Sequence, residues 1–209
     1  MSKKKREKDE YFSSCHKTVN KRLPRKFYTQ QTLKIAKEML GKYLVRKIGN
    51  KKLVGKIVET EAYIGPKDKA SHAFGGKRTE RNKAEWLIGG HIYIYLVYGM
   101  YWQFNISTGK KGQPKCVLIR ALEPITQNSK PKTQNLANGP GKLCRWMKLN
   151  KSFYGEDLTK SKRIWLEPGE KIKPNQIVAG KRIGIDYAKE WAEKPWRFYI
   201  KNNKFVSKY

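Results

Sequence analysis

The run Cys116-Val117-Leu118-Ile119-Arg120-Ala121-Leu122 is apolar except for one guanidinium. A short apolar run of this kind predicts a core strand. A guanidinium drawn into a core needs a carboxylate beside it, because an uncompensated buried charge costs on the order of several kcal/mol. Any fold this chain adopts must therefore bring an acid to that strand. Acids are scarce, with 17 Asp and Glu against 47 Lys and Arg. Glu59, Glu61 and Glu123 are the candidates. Glu59 and Glu61 have the same strand parity, so pattern alone does not say which of them faces a site. Two readings stay open: a structural Arg–Glu clasp, or a carboxylate held ionised and oriented by Arg120 to activate a water.

Around that strand the sequence predicts one mixed domain. Residues 1–22 are polar, basic and without periodicity, which predicts a tail ahead of a domain spanning 23–209. Lys3–Arg6 reads as a solvated basic end, a nuclear address or a DNA-tethering arm. Thr29 is expected to cap a helix carrying Leu33, Ala36 and Leu40 on one face, with Gly41 as its stop. Tyr43–Ile48 and Leu53–Thr60 read as strands joined by a turn at Gly49-Asn50-Lys51-Lys52, the second delivering Glu61 at or just past its end. A short helix is expected near Asn82–Leu87, strands at Ile92–Tyr98 and Cys116–Leu122, and a polar loop over 125–138. A short helix then runs from Gly139-Pro140-Gly141-Lys142 to about Lys148. Strands follow near Arg163–Leu166, Ile177–Ile185 and Arg197–Ile200. Helices are too few to link parallel strands. The expectation is α+β, with a curved, mostly antiparallel sheet flanked by short helices.

Charge narrows the function. A formal net charge of +30 favours a polyanionic partner, nucleic acid first and an acidic membrane surface second. No apolar run approaches the roughly 18 residues of a membrane span, and the N-terminus is a lysine cluster without an apolar signal core. A nucleic-acid-binding protein with no membrane association is expected, cytoplasmic at a bacterial nucleoid or nuclear in a eukaryote. Cys15, Cys116 and Cys144 are widely spaced and odd in number, which reads as reduced structural thiols. His16, His72 and His91 have no partner at metal-ligand spacing, so chemistry without a metal is expected.

Aromatic residues then cluster near the carboxylates. Tyr63, Tyr93, Tyr95, Tyr98, Tyr101 and Trp102 exceed what a small core requires. Phenol rings beside a carboxylate suit an unstacked nucleobase and attack on the sugar behind it, with stacking worth about 1–3 kcal/mol per base. Tyr98, at a strand end before Gly99, is placed to project as a wedge into the gap an extruded nucleotide leaves. His72, Asn105 and the Gly139–Lys142 turn are weak signals singly.

Assembled in order, these residues resemble the alkyladenine (3-methyladenine) DNA glycosylase family, monofunctional base-excision enzymes of the mammalian type. The resemblance rests on Leu23-Pro24-Arg25, Leu40-Gly41-Lys42, Ile57 to Tyr63, Ala70-Ser71-His72, Arg81-Asn82, Tyr93 to Met100, Asn105-Ile106, Leu118 to Pro124, Asn138 to Leu143 and Pro195 to Phe198. It implies Glu61 as general base, with Arg120 helping to hold the water and the carboxylate. It implies Tyr63, His72 and Tyr95 as pocket walls, and Asn105 crowding the guanine 2-amino position. Tyr98 would intercalate, with Met100 and Tyr101 beside it, while Thr79 and Lys142 would contact the strand backbone. It further implies double-stranded DNA with damaged purines as partner, a monomer, and no cofactor, metal or lysine Schiff base. The rival reading from another class is a non-catalytic basic RNA- or DNA-binding protein.

The chain departs from the family pattern in four places. Loop 125–138 is shorter, Glu85-Trp86 stands where a Met-Phe pair is common, Gly89 replaces a usual proline, and Asn202-Asn203-Lys204 lacks a Gly-containing turn. These bear on the DNA footprint and the range of lesions.

Overall fold

The computed structural model describes residues 22–125 and 135–208. The readings placed on 1–21 (the basic run, Cys15 and His16) and on most of loop 125–138 lie outside those residues.

Eight strands form one sheet, and every pair of them is antiparallel, which is the α+β architecture expected. They are β1 (Tyr43–Ile48), β2 (Lys51–Ile64), β3 (Ile92–Val97), β4 (Tyr101–Ser107), β5 (Lys115–Ile125), β6 (Ile164–Glu167), β7 (Ile177–Gly180) and β8 (Arg197–Ile200). Three short helices flank them: α1 (Arg25–Tyr28), α2 (Thr32–Glu38) and α3 (Pro140–Trp146). The path runs β3-β4-β5-β2-β1-β6, with β8 bridging β2 and β7.

β2 is the spine. On one edge it pairs with β5 along most of its length. On the other it pairs with β1 up to Lys56, and β8 takes over at Glu59. The β2–β5 register shifts at this handover: Ile57 faces Leu122, Glu59 faces Ala121 and Thr60 faces Ile119. Val58 on β2 and Arg120 on β5 are therefore the residues skipped by the ladder. A bulge bends and twists a strand and re-aims its side chains. Here it aims a cation from β5 at two carboxylates on β2.

The core lies between the sheet and α2. Tyr28, Ile35, Leu44, Ile57, Phe104 and Ile106 are fully buried there. Each such side chain contributes about 1.5–3 kcal/mol relative to exposure. On the α2 side of β2 the Thr60 hydroxyl donates to the Ala36 carbonyl at 2.9 Å. Glu59, Glu61 and Tyr63 alternate with Thr60 and Ala62 and face away from α2.

Several expectations need correction. Thr29 is not an N-cap; it follows α1, and its hydroxyl donates back to the Lys26 carbonyl at 3.4 Å. Gln31 precedes α2 instead, without a side-chain cap. Gly41 does stop the segment: its φ is +82°, and a Cβ there would meet the Glu170 carbonyl oxygen at 2.2 Å. β2 runs on to Ile64, so Glu61 sits inside the strand, and only Gly49-Asn50 lies between the paired residues Ile48 and Lys51. β7 ends at Gly180 rather than Ile185. Tyr98 lies just outside β3, and the Asn82–Leu87 helix is a 3-10 turn over Lys83–Trp86. Strand β4 was not anticipated. Asn105 is not a turn residue but a buried member of it, directly across from Tyr93.

Candidate active site

Glu59 and Glu61 are both completely buried, yet their surroundings differ. Glu59 is saturated. Its Oε1 accepts from Arg120 Nε (3.1 Å), Arg197 Nη1 (2.9 Å) and the Ser207 hydroxyl (3.0 Å), and its Oε2 accepts from the Ser207 N–H (2.7 Å). Glu61 is held more sparingly. Its Oε1 accepts from the Ile183 N–H at 2.8 Å and lies 3.3 Å from Arg120 Nη1. Among the described residues its Oε2 accepts only the Tyr63 hydroxyl, at 2.8 Å. A carboxylate oxygen has two lone-pair sites, so this oxygen keeps one for a further donor.

Arg120 thus touches both carboxylates, while Glu123, the third candidate, pairs with Lys56 at 2.9 Å. Burial alone would lower the Arg120 pKa; Glu61 and Glu59 outweigh it and hold the guanidinium firmly charged. Glu59 and Glu61 with Arg120 and Arg197 sum to zero charge, which is how a sheet interior holds four ionised groups.

Tyr63 links this cluster to an aromatic cleft. Burial first, then the Glu61 charge, raises its pKa far above the phenol range, so it stays a hydrogen-bond donor. Behind its ring the Arg182 guanidinium lies 4.7 Å from the ring centroid and 5.1 Å from that of Trp196. Arg182 is fixed by both oxygens of Asp68 (2.6 and 2.9 Å) and by the Ala62 and Trp191 carbonyls. Tyr63 is therefore clamped from one side in a cation–π contact.

The other walls come from β3 and the loop after β2. Tyr93 and Tyr95, on one face of β3, are 5.0 Å apart, and the His72 ring meets Tyr95 edge-on at 4.7 Å. His72 shares a 2.6 Å hydrogen bond with the Tyr93 hydroxyl. Dehydration of its packed side and the nearby Arg81 guanidinium lower the His72 pKa, keeping the imidazole neutral near pH 7. Its backbone is anchored by Asn82, whose Nδ2 donates to the His72 carbonyl at 3.0 Å. Asn82 Oδ1 in turn accepts from the Thr79 N–H at 2.8 Å. Asn105 sits at the inner end, with Cys116 Sγ 3.8 Å from its Oδ1.

Beyond the cleft, Tyr98, Gly99 and Met100 form the tip of the β3–β4 hairpin. Tyr98 is 86% and Met100 63% exposed, so neither is core packing. Tyr98 holds φ +52°, which a bulky residue rarely adopts. Tyr101 leans on α3, where Gly141 is required: a Cβ there would come within 2.8 Å of the Tyr101 ring. Lys142 follows, exposed, its Nζ 3.0 Å from Asn138 Oδ1.

The structure thus joins Glu61, Arg120 and Tyr63 directly, and packs Tyr63 and Tyr95 on one cluster, with His72 against Tyr95 and Asn105 across the hairpin from Tyr93. Tyr98, Met100, Tyr101 and Lys142 lie on a separate exposed ridge, and Thr79 on the loop braced by Asn82. Sequence reasoning gave no role to Arg197, Arg182, Asp68, Asn82 or Ser207. An arginine among apolar and aromatic residues at 197 was a local signal available. Among the described residues no group of His, Cys, Asp and Glu could hold a metal ion, and no helix is long and apolar enough to cross a membrane.

Comparison with known proteins gives this geometry a context. A protein of Clostridium novyi with the curated name "Putative 3-methyladenine DNA glycosylase" is 46% identical over 203 residues, covering 90% of this chain and 99% of its own. Relatives of the same name from Natranaerobius thermophilus (43% over 195 residues, 89% and 98% covered) and Borrelia garinii (45% over 187 residues, 89% and 100%) are equally collinear. The sequence profile of methylpurine-DNA glycosylase (MPG) matches residues 26–204, a span that takes in both carboxylates, the aromatic cleft and the hairpin tip. With similarity of this depth along nearly the whole length, the chain belongs to the methylpurine-DNA glycosylase family.

Proposed function

We propose that this protein is a monofunctional DNA glycosylase that draws an alkylated or deaminated purine out of duplex DNA and hydrolyses its N-glycosidic bond, leaving an abasic site. The observation that carries this reading is Glu61 Oε2: an oxygen of a fully buried carboxylate that accepts the hydroxyl of Tyr63, one of the clustered aromatic rings.

The steps join that geometry to the roles that the family resemblance implies. The purine stacks among Tyr63, His72 and Tyr95, and Asn105 crowds the position of a guanine 2-amino group. Glu61 takes a proton from a water as that water attacks C1′, and its charge stabilises the oxocarbenium-like sugar. Arg120 holds Glu61 in place, so the carboxylate does not reorganise as charge develops. An alkylated purine carries positive charge and departs readily, whereas a deaminated one must be protonated to leave. Tyr98 fills the vacated stack, with Met100 and Tyr101 beside it, while Thr79 and Lys142 meet the phosphate backbone. The reaction needs no metal or cofactor, and the protein acts as a monomer on chromosomal DNA. A non-catalytic basic binder would leave Glu61 and Arg120 buried to no purpose.

The test is incubation with duplexes that each carry one defined lesion, followed by alkaline cleavage of abasic sites. Strand breaks at alkylated purines and at hypoxanthine, and none at normal bases, are expected. No break at any lesion would end the proposal.

A further inference from the structure

Glu85 is a buried acid that the mechanism above does not use. It sits in the 3-10 turn Lys83–Trp86 and is 2% exposed. One oxygen, Oε1, is 3.9 Å from the Cys116 thiol, and that same thiol is 3.8 Å from Asn105 Oδ1. The other oxygen, Oε2, has no hydrogen-bond partner among the described residues. Ala84, Tyr93 and Cys116 pack as one cluster against Tyr63, Tyr95 and Tyr154, and Glu85, against Cys116, lies close enough for its charge to act on Tyr93 and Tyr95.

Its electrostatic setting is unusual for an acid in so basic a chain. The titratable groups that face it are Cys116 on β5, Tyr93 and Tyr95 on β3, Tyr154, and Asp68, itself neutralised by Arg182. No lysine or arginine pairs with it among the described residues. A buried carboxyl lacking a counter-charge stays protonated, and burial with Asp68 does push its pKa up to about 8. A cation entering the cleft would be the first positive group to reach it. Attraction in such a dehydrated site is strong enough to ionise the acid and hold the cation. A neutral base offers no such return.

We propose that Glu85 is a specificity-determining residue whose buried carboxyl, close to the rings of Tyr93 and Tyr95, favours positively charged alkylated purines over neutral ones through its charge. This rests on the glycosylase reading above and names the substrate class of the same site. No covalent bond forms between Glu85 and the base; the Glu85 O–H ionises as the cationic base enters, its electron pair staying on the carboxylate and its proton passing to solvent water.

The experiment compares wild type, Glu85→Gln and Glu85→Met on duplexes carrying 7-methylguanine, a cation, or hypoxanthine, a neutral purine. In single-turnover excision the wild-type preference for 7-methylguanine should fall by at least about tenfold in both variants, the equivalent of one pKa unit of coupling. Hypoxanthine enters the site neutral, so affinity for its duplex should change little, which shows that the variants are folded. An unchanged ratio between the two lesions would overturn the proposal, as would equal losses on both. The same ratio measured as equilibrium affinity, with Glu61→Gln present throughout, needs no catalysis. A cation preference that survives Glu85→Gln there would overturn it too. Wild type that cleaves neither lesion defeats the glycosylase reading instead, and the binding ratio still decides the role of Glu85.

Discussion

The Tyr63 hydroxyl donates to Glu61 Oε2 at 2.8 Å, a pair two residues apart on one face of β2. The strand's own pleat therefore sets the distance between a wall of the aromatic cleft and the carboxylate. Tyr63→Phe keeps the ring and removes the donor. Hydrogen bonds to charged groups are worth about 1.5–3 kcal/mol, so excision should fall roughly ten- to a hundredfold while lesion-DNA affinity holds. Equal loss of affinity and rate would mean that the hydroxyl serves binding alone.

Glu61 and Glu59 should separate cleanly. Glu61→Gln should keep lesion-DNA binding and lose excision by at least roughly 10²-fold, the scale of general-base loss. Glu59→Gln leaves Arg120, Arg197 and Ser207 facing a neutral amide, and should cost about 3–5 kcal/mol of stability. Urea midpoints and single-turnover rates on both variants decide it. An inactive but fully stable Glu59→Gln beside an active Glu61→Gln would exchange the two roles.

At the hairpin tip, Tyr98→Ala should leave the melting temperature nearly unchanged, because the side chain is exposed. The flipped population should nevertheless drop about tenfold or more with the lost stacking of about 1–3 kcal/mol. Ethenoadenine, bright when unstacked, reports that population directly. Tyr98→Gly relieves the positive φ and should raise stability while flipping falls equally. If Tyr98→Ala melts early yet flips the base normally, the residue is packing.

Affinity for undamaged duplex should fall linearly on a log–log plot against salt, with a slope near −0.9 per phosphate contacted. Lys142→Ala should reduce that slope by about one contact. Affinity independent of salt would leave the charge of +30 without a role.

Glu85 should also leave a signature in stability against pH. Its pKa is raised by burial from 4.5 to about 8, so the folded chain binds this proton more tightly than the unfolded chain does. Stability conferred by the bound proton is present at low pH and is lost as pH rises through that window. Glu85→Gln removes the titration and should exceed wild type by roughly 3–5 kcal/mol near about pH 9, with the gap closing towards about pH 4. Chemical denaturation across that range measures it. Parallel curves for the two proteins would count against a protonated Glu85.

Much of the architecture could be read locally, because β1 and β8 are short runs rich in aromatic and β-branched residues and the apolar run around Arg120 demanded a carboxylate. β4 was harder. Trp102, Phe104 and Ile106 alternate as a strand should, but Asn105 is a poor strand former, and its place depends on Tyr93 across the hairpin. The choice between Glu59 and Glu61 was closed to sequence for a different reason. It turns on Arg197, Ser207 and the Ile183 N–H, all more than a hundred residues away and without any motif that ties them to β2. Asp68 and Arg182 escaped on the same grounds, since a pair separated by 114 positions has no periodicity.

That distance in sequence sets an order of events during synthesis. Glu59 leaves the ribosome 138 residues ahead of Arg197 and 148 ahead of Ser207. At translation speeds of about 5–20 residues per second, the interval is on the order of ten seconds. Arg120 follows after 61 residues, and until Arg197 emerges it is the one of these partners at hand, so water remains the better host for the acid on β2. The sheet can zip from β1 towards the bulge, but its charged half stays hydrated until β8 arrives. The nascent chain is thus left open at the one place where premature closure would trap a carboxylate without its counter-ions.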